Sequence, residues 1–205
     1  MKNFEQKTFS LGELKGISLK NIEEHLKLYA GYVKNTNIIL EKIEELRKDE
    51  SPSTTLGASN AYLLTELQRR FAFEFGGMRN HEYYFSSLSN GHTELPENSE
   101  LKKAIAQSFG SFENWLNIFK GLAMTKGIGW TMLSYDKQTG QLLNHWVDEQ
   151  HIGHLVSTSP IICLDMWEHA YVYDYPTSEK KKYVEAYFEN LNWEVVEKNF
   201  QNTQK

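Results

Sequence analysis

Asp165 and His169 stand four apart in a dense run of ligand-type and aromatic residues, Leu164-Asp165-Met166-Trp167-Glu168-His169-Ala170-Tyr171. An apolar run at 160–164 precedes them and reads as a buried strand, so Asp165 falls where a strand ends. If a helical turn follows, His169 returns to the same side of the chain. A carboxylate and an imidazole meeting at one point suit a borderline metal ion such as Mn, Fe or Zn. On its own D-x-x-x-H is a weak motif, because either residue serves as well as a helix cap or a satisfied half-buried polar group. A metal reading therefore needs further ligands, and His25 and His81 are the upstream histidines placed on apolar stripes.

Those stripes define the elements that must do the positioning. From Ser18, an N-cap residue, Ile22, His25, Tyr29, Tyr32, Thr36, Ile39, Ile43 and Leu46 recur at steps of three and four, one face of a long helix bounded by Pro52. After a polar turn at 49–59, a second helix carries Leu64, Leu67, Phe71, Phe75, Met78, His81, Phe85 and Leu88. Burying the two stripes on each other makes an antiparallel hairpin, with His25 and His81 at the same end. A lone histidine on such a face is usually a core residue with one satisfied hydrogen bond. Two that meet are less economically explained that way.

The shift in composition at 89–96 divides the chain into an N-terminal helical part, 1–90, and a mixed α/β part, 91–205, with His92 solvated in the linker. Helices are expected near 98–107 and 111–125, split by Ser108-Phe109-Gly110-Ser111, and then a strand at 127–135 with a hairpin partner at 141–147. Residues 160–164 make the third strand. A helical tail runs from Ser178, with 191–196 inside it or at a break.

With 205 residues, 40% hydrophobic and 24% charged, the chain has an ordinary globular composition. Its formal charge of -5 argues against a general nucleic-acid binder. The N-terminus has no apolar signal region, and no apolar run approaches the ~20 residues of a membrane span. The expectation is a cytoplasmic protein that engages neither membrane nor nucleic acid. The single cysteine, Cys163, excludes an internal disulfide and reads as a small buried hydrophobe.

The full D-x-W-E-H-A-Y string resembles the C-terminal signature of the iron/manganese superoxide dismutase family. Ile22-Glu23-Glu24-His25 is similar to the segment ending in that family's first ligand, and Gly76-Gly77-Met78-Arg79-Asn80-His81 to the stretch supplying the second. Ser108-Phe109-Gly110-Ser111-Phe112, Gly127-x-Gly129-Trp130 and Asn192-Trp193-Glu194 follow in family order. The resemblance implies an α+β fold: a long N-terminal helical hairpin, a C-terminal α/β part with a three-stranded antiparallel sheet, and one Mn or Fe ion per subunit between them. It assigns His25, His81, Asp165 and His169 as ligands, beside a bound water. A structural zinc site would be richer in cysteine. The implied activity converts two superoxide and two protons to dioxygen and hydrogen peroxide by cycling the metal between +2 and +3. The alternative is an inactive or repurposed relative that kept the fold as a metal-binding or interaction module.

The resemblance also implies supporting roles. Gly77 has no side chain to reach the site, so Gln150, fifteen residues before Asp165, is assigned as the hydrogen-bond partner of the bound water. Trp130 and Trp167, with Tyr32 and Tyr84, make a tight aromatic wall. Glu168 beside His169 is the pair through which a homodimer forms, by symmetry. Departures are linked: Tyr29 and Val172 replace a histidine and a tyrosine that meet across the dimer, so that relay or contact is rebuilt. Val33 stands where the gateway tyrosine is expected, with Tyr32 as its substitute. Lysines at 180–182 replace a funnel arginine. His151 and His154, flanking Gln150, belong to the cleft, to the subunit contact or to the surface.

Overall fold

The structure, a computed structural model, describes residues 2–48 and 55–204, with residues 55–59 described by backbone alone. Leu19–Lys48 form α1 and Thr55–Ser87 form α2, the expected helical hairpin. Ser18 caps the first: its hydroxyl accepts from the Asn21 amide at 3.2 Å. Along α1 the buried stripe holds Ile22, His25, Tyr29, Val33, Thr36, Ile39 and Ile43. Tyr32 is half-buried on the same inward face, meeting His81 at 5.1 Å, and Val33 beside it is buried as well. α2 begins at Thr55, inside the stretch expected to be a turn at 49–59; residues 49–54, Pro52 among them, lie outside the described residues. A helix nucleated by the apolar stripe from Leu64 onward extends through polar residues at low cost, one hydrogen bond per residue fixed.

Ahead of the hairpin, residues 2–17 form an extended strap with a single bridge between Leu14 and Ile17. Two asparagines hold it by its backbone. Asn37 pairs with both the amide and the carbonyl of Phe4 at 2.9 Å, and Asn190 does the same for Lys15 at 2.8 Å.

The C-terminal part opens with α3 (Glu100–Phe109) and α4 (Phe112–Ala123), capped by Ser99 and Ser111 and separated by Gly110 at φ 86°. Three antiparallel strands follow, β1 (Gly129–Asp136), β2 (Leu142–Asp148) and β3 (Thr158–Asp165), in the order β2-β1-β3. β3 starts two residues earlier than expected and contains Pro160. The proline is tolerated because β3 is an edge strand and Pro160 sits at a shift of register between Leu133 and Ser134. The tail splits into α5 (Lys180–Asn190) and α6 (Trp193–Thr203). Asn192 makes the break: its side chain accepts from the Val195 amide at 3.2 Å, while its amide groups bond to Ser87 O at 2.7 Å and Ser89 O at 2.8 Å. His92 is not simply solvated, since its Nδ1 donates to Leu191 O at 3.0 Å. Among the described residues no helix is long and apolar enough to cross a membrane. The core lies where the sheet packs on α2 and α6, and there Trp115, Trp130, Tyr84, Tyr183 and Tyr187 are buried.

Candidate metal centre

His25 lies on the inward face of α1 six residues after Leu19, and His81 lies on α2 six residues before Ser87, so the hairpin brings both to one end. Asp165 ends β3 and pairs across the ladder with Trp130, which puts the two on one face of the sheet. Beyond it the chain makes a short 3-10 turn at Glu168–Ala170, tighter than the expected helical turn, and this returns His169 to Asp165. One ligand-type atom from each of His25, His81, Asp165 and His169 falls within 4.8 Å of all the others. Asp165 Oδ2 is the common point, 3.1 Å from His25 Nε2, 3.2 Å from His169 Nε2 and 3.5 Å from His81 Nε2.

His81 and Asp165 are also anchored from outside the group, while His25 Nδ1 is buried without a hydrogen-bond partner. His81 Nδ1 donates to the Gly77 carbonyl at 2.6 Å, which leaves the Nε2 lone pair facing the group. Asp165 Oδ1 accepts from the Trp167 amide at 2.8 Å, and the Asp165 carbonyl accepts from Tyr183 at 2.9 Å. His25, His81 and Asp165 are fully buried. Burial, with His25 as a neighbour, lowers the His81 pKa to about 3, and burial lowers that of His25 as well. For Asp165 burial acts the other way, but the charge and hydrogen bonds of His169 and His25 outweigh it and hold the carboxyl below its ordinary range. Neutral imidazoles at His25 and His81 and an ionised carboxylate at Asp165 are the protonation states in which those three groups donate to a cation. His81 Nε2 is buried without a hydrogen-bond partner, which is how a ligand atom facing an ion should stand. The donor set fits a first-row transition metal better than Mg or Ca, which prefer oxygen.

Around this group stand the aromatic rings expected of it. Trp130 lies edge-on to His81 with centroids 5.0 Å apart, Trp167 stacks on His169 at 5.7 Å, Tyr84 meets His25 at 5.0 Å and Tyr32 meets His81 at 5.1 Å. Gln150, wholly buried, links two of them. Trp130 Nε1 can only donate, and it does so to Gln150 Oε1 at 2.9 Å. That fixes the amide orientation, so Gln150 Nε2 donates to the Tyr32 hydroxyl, also at 2.9 Å.

The C-terminal half of the chain, residues 96–199, matches the family model described as iron/manganese superoxide dismutases, C-terminal domain. Superoxide dismutase (Fe) of Aquifex pyrophilus is 33% identical over 94% of this chain and 88% of its own length. The corresponding figures are 35%, 89% and 87% for superoxide dismutase (Fe) of Cupriavidus metallidurans, and 34%, 86% and 80% for superoxide dismutase (Mn) of Mycolicibacterium smegmatis. The chain belongs to the iron/manganese superoxide dismutase family.

As a member of this family it departs from the expected pattern in ways the geometry makes physical. Tyr29, one turn beyond His25, is fully buried; its hydroxyl accepts from the Lys7 amide at 2.9 Å and donates to Glu82 Oε1 at 3.4 Å. Glu82 is itself paired with Lys7 and Arg79, each at 2.7 Å. Tyr29 thus faces the strap, away from the Gln150–Tyr32 link. Glu168 is exposed beside His169, and Val172 and Tyr173 are about half-exposed. His151 packs edge-on against Phe73 at 5.8 Å, and His154 is exposed. Sequence reasoning missed the Tyr29–Glu82–Lys7 network, which joins positions far apart in the chain. It also missed why two glycines adjoin at 76 and 77. A Cβ on Gly76 would lie 2.2 Å from Gln150 O, and one on Gly77 would lie 2.5 Å from Tyr32 Cδ1.

Proposed function

We propose that the protein is a superoxide dismutase, converting two superoxide anions and two protons to dioxygen and hydrogen peroxide. The observation that carries this reading is the buried convergence of His25, His81, Asp165 and His169 on one point, in a chain whose similar relatives are named superoxide dismutases. These four residues would hold one manganese or iron ion, which when bound supplies one-electron exchange between its +2 and +3 states. The protein's own part is to exclude water and organic molecules with the aromatic wall and to manage protons. Trp130 donates to Gln150 and Gln150 to Tyr32, so the Tyr32 hydroxyl hydrogen is free to be donated onward. Burial and the nearby Asp165 and Glu74 carboxylates raise the Tyr32 pKa, which keeps that proton in place at neutral pH. In this reading Gln150 and Tyr32 are the proton-handling groups, Trp130 and Trp167 fix the walls, and Tyr29 supports the two ligand-bearing helices.

Two further parts belong to the same proposal. Glu168, exposed beside the partly accessible His169, would pair with the His169 of a second copy in a homodimer; Glu168→Ala should then shift the species seen by sedimentation toward monomer. A cytoplasmic location accords with one buried free thiol, and cell fractionation tests it.

The deciding experiment measures metal content of the purified protein together with dismutation by wild type, Asp165→Ala and His81→Ala. Activity that follows bound manganese or iron and is lost in both variants supports the proposal. Stoichiometric manganese or iron with no dismutation in the wild type would overturn it and leave a relative that kept the site without the chemistry.

A further inference from the structure

The Gln150 side chain is held by Trp130 and Tyr32, but nothing in those two bonds fixes the backbone that carries it. That backbone is unusual. Glu149, immediately before Gln150, is at φ 52°, a left-handed conformation that a non-glycine residue adopts only when its surroundings impose it. Asp148 and Ile152 close the loop by exchanging amide-to-carbonyl bonds at 2.8 and 3.1 Å. The Glu149 amide donates to Ile128 O at 3.1 Å, and its carbonyl accepts from Trp167 Nε1 at 3.1 Å. These contacts all come from the C-terminal part of the chain. The helix that carries His81 meets this loop through the His151–Phe73 ring contact and through one hydrogen bond: Asn80, 2% exposed, donates its Nδ2 to the Gln150 carbonyl at 3.1 Å. Directly beside it Gly76 supplies the space, since any Cβ there would collide with that same carbonyl.

We infer that Asn80 is a positioning residue, which with the bare backbone of Gly76 sets where Gln150 stands relative to His81. The inference rests on the dismutase reading for its catalytic consequence but not for its geometry. Asn80 and His81 are consecutive on α2, so the bond ties the proton-handling amide to the helix turn that carries one of the three converging histidines. Without it the loop keeps its own closing bonds but loses its register against α2. Gln150 then keeps its side-chain bonds to Trp130 and Tyr32 but has no hydrogen bond to α2. Apart from its peptide bond to His81, Asn80 acts on the site through Gln150, so its effect on the Trp130–Gln150 bond must vanish when the Gln150 side chain is absent.

The Trp130 indole N–H reports on Gln150 without any turnover, because it donates to Gln150 Oε1. Its ¹⁵N–¹H resonance would be recorded in ¹⁵N-labelled protein loaded with diamagnetic zinc and identified by its loss in Trp130→Phe. The expected result is that Asn80→Ala moves this resonance in the direction that Gln150→Ala moves it, and that adding Asn80→Ala to Gln150→Ala moves it no further. Asn80→Asp is the same size and replaces the donor by an oxygen facing the carbonyl; it should produce the larger displacement, and it serves if the alanine variant fails to fold. With manganese or iron bound, Asn80→Ala should lower kcat/KM about fivefold, with metal content unchanged and the pH profile altered, as the loss of one hydrogen bond would. A Trp130 resonance unmoved in both Asn80 variants, or effects of Asn80→Ala and Gln150→Ala that simply add, overturns the inference. A resonance that responds as expected in a protein without dismutation sustains the inference while the dismutase reading falls.

Discussion

Gly77→Ala tests the packing argument most directly. In a helix interior this substitution should stabilise by about 1 kcal/mol, because glycine has more conformational freedom to lose than alanine. Here the new methyl carbon would stand 2.5 Å from Tyr32 Cδ1, 2.7 Å from Cε1 and 2.8 Å from Cγ, where ordinary contact begins at 3.4 Å. The ring must retreat by about 1 Å, and overpacking of this kind costs about 1–3 kcal/mol. The same retreat stretches the Gln150-to-Tyr32 bond from 2.9 Å past the limit for a hydrogen bond, a further loss of about 1 kcal/mol. The net expectation is a destabilisation of about 1–3 kcal/mol, a melting midpoint lower by roughly 2–12 °C for a chain of this size. Dismutation should fall to the level of Tyr32→Phe. In a Tyr32→Ala background the obstacle is gone and only the helix term remains, so Gly77→Ala should raise the midpoint by about 2–4 °C. The sign therefore reverses between backgrounds. Circular-dichroism melts of the four proteins suffice, and a change of the same sign in both backgrounds would refute the idea that Tyr32 occupies the space Gly77 leaves.

Tyr29→Phe removes a hydroxyl that accepts from Lys7 and donates to Glu82, so the midpoint should fall by about 2–4 °C, or about 1 kcal/mol, while dismutation is unchanged; a large loss of rate would place that hydroxyl in the proton path instead. His145, which shares a 3.0 Å hydrogen bond with Ser134, has its pKa lowered from 6.5 to about 4 by burial, with His154 adding to the effect. Between those values the unfolded chain binds the proton and the folded one does not, so the stability it contributes is present above pH 6.5 and is lost as pH falls toward 4. His145→Gln should flatten that part of the midpoint-against-pH curve. Cys163 lies buried in β3 with its thiol pKa raised by burial, so alkylating reagents should label it, by mass, only as fast as the protein unfolds.

The parts of the site that lie on regular elements were legible in the sequence. His25 and His81 are on apolar stripes at helical spacing, and the hairpin geometry that brings them together follows from burying both stripes. Asp165 was readable because the apolar run before it ends there. What was not legible depends on how side chains pass one another. Tyr29, four residues after His25, was visible as an inward-facing residue, but its hydroxyl could turn toward a second subunit or toward its own chain. The choice is made by Glu82 and Lys7, 53 and 22 residues away from it in sequence. The start of α2 was obscured for a different reason: Thr55, Gly57, Ser59 and Asn60 are turn-forming residues by local preference, and only the long helix behind them overrides it.

Tyr32 shows how the local departures belong together. Each helical residue advances about 100°, so residue 32 lies about 20° from the direction of His25, whereas residue 33 lies about 80° away. A tyrosine at 32 therefore stands in line with His25, two turns along, and points across the hairpin at α2. There it can lie flat only if α2 presents no side chain, which is the condition Gly77 meets. Gly77 also offers its carbonyl to His81 Nδ1, so the residue that makes room for the phenol orients the histidine beneath it. With position 77 bare, the amide that meets the Tyr32 hydroxyl has to come from elsewhere, and Gln150 supplies it from the sheet, steadied by Trp130. The tyrosine one residue early, the glycine on α2 and the glutamine from the C-terminal part are consequently one solution. Any one of them changed alone leaves the other two without their geometry.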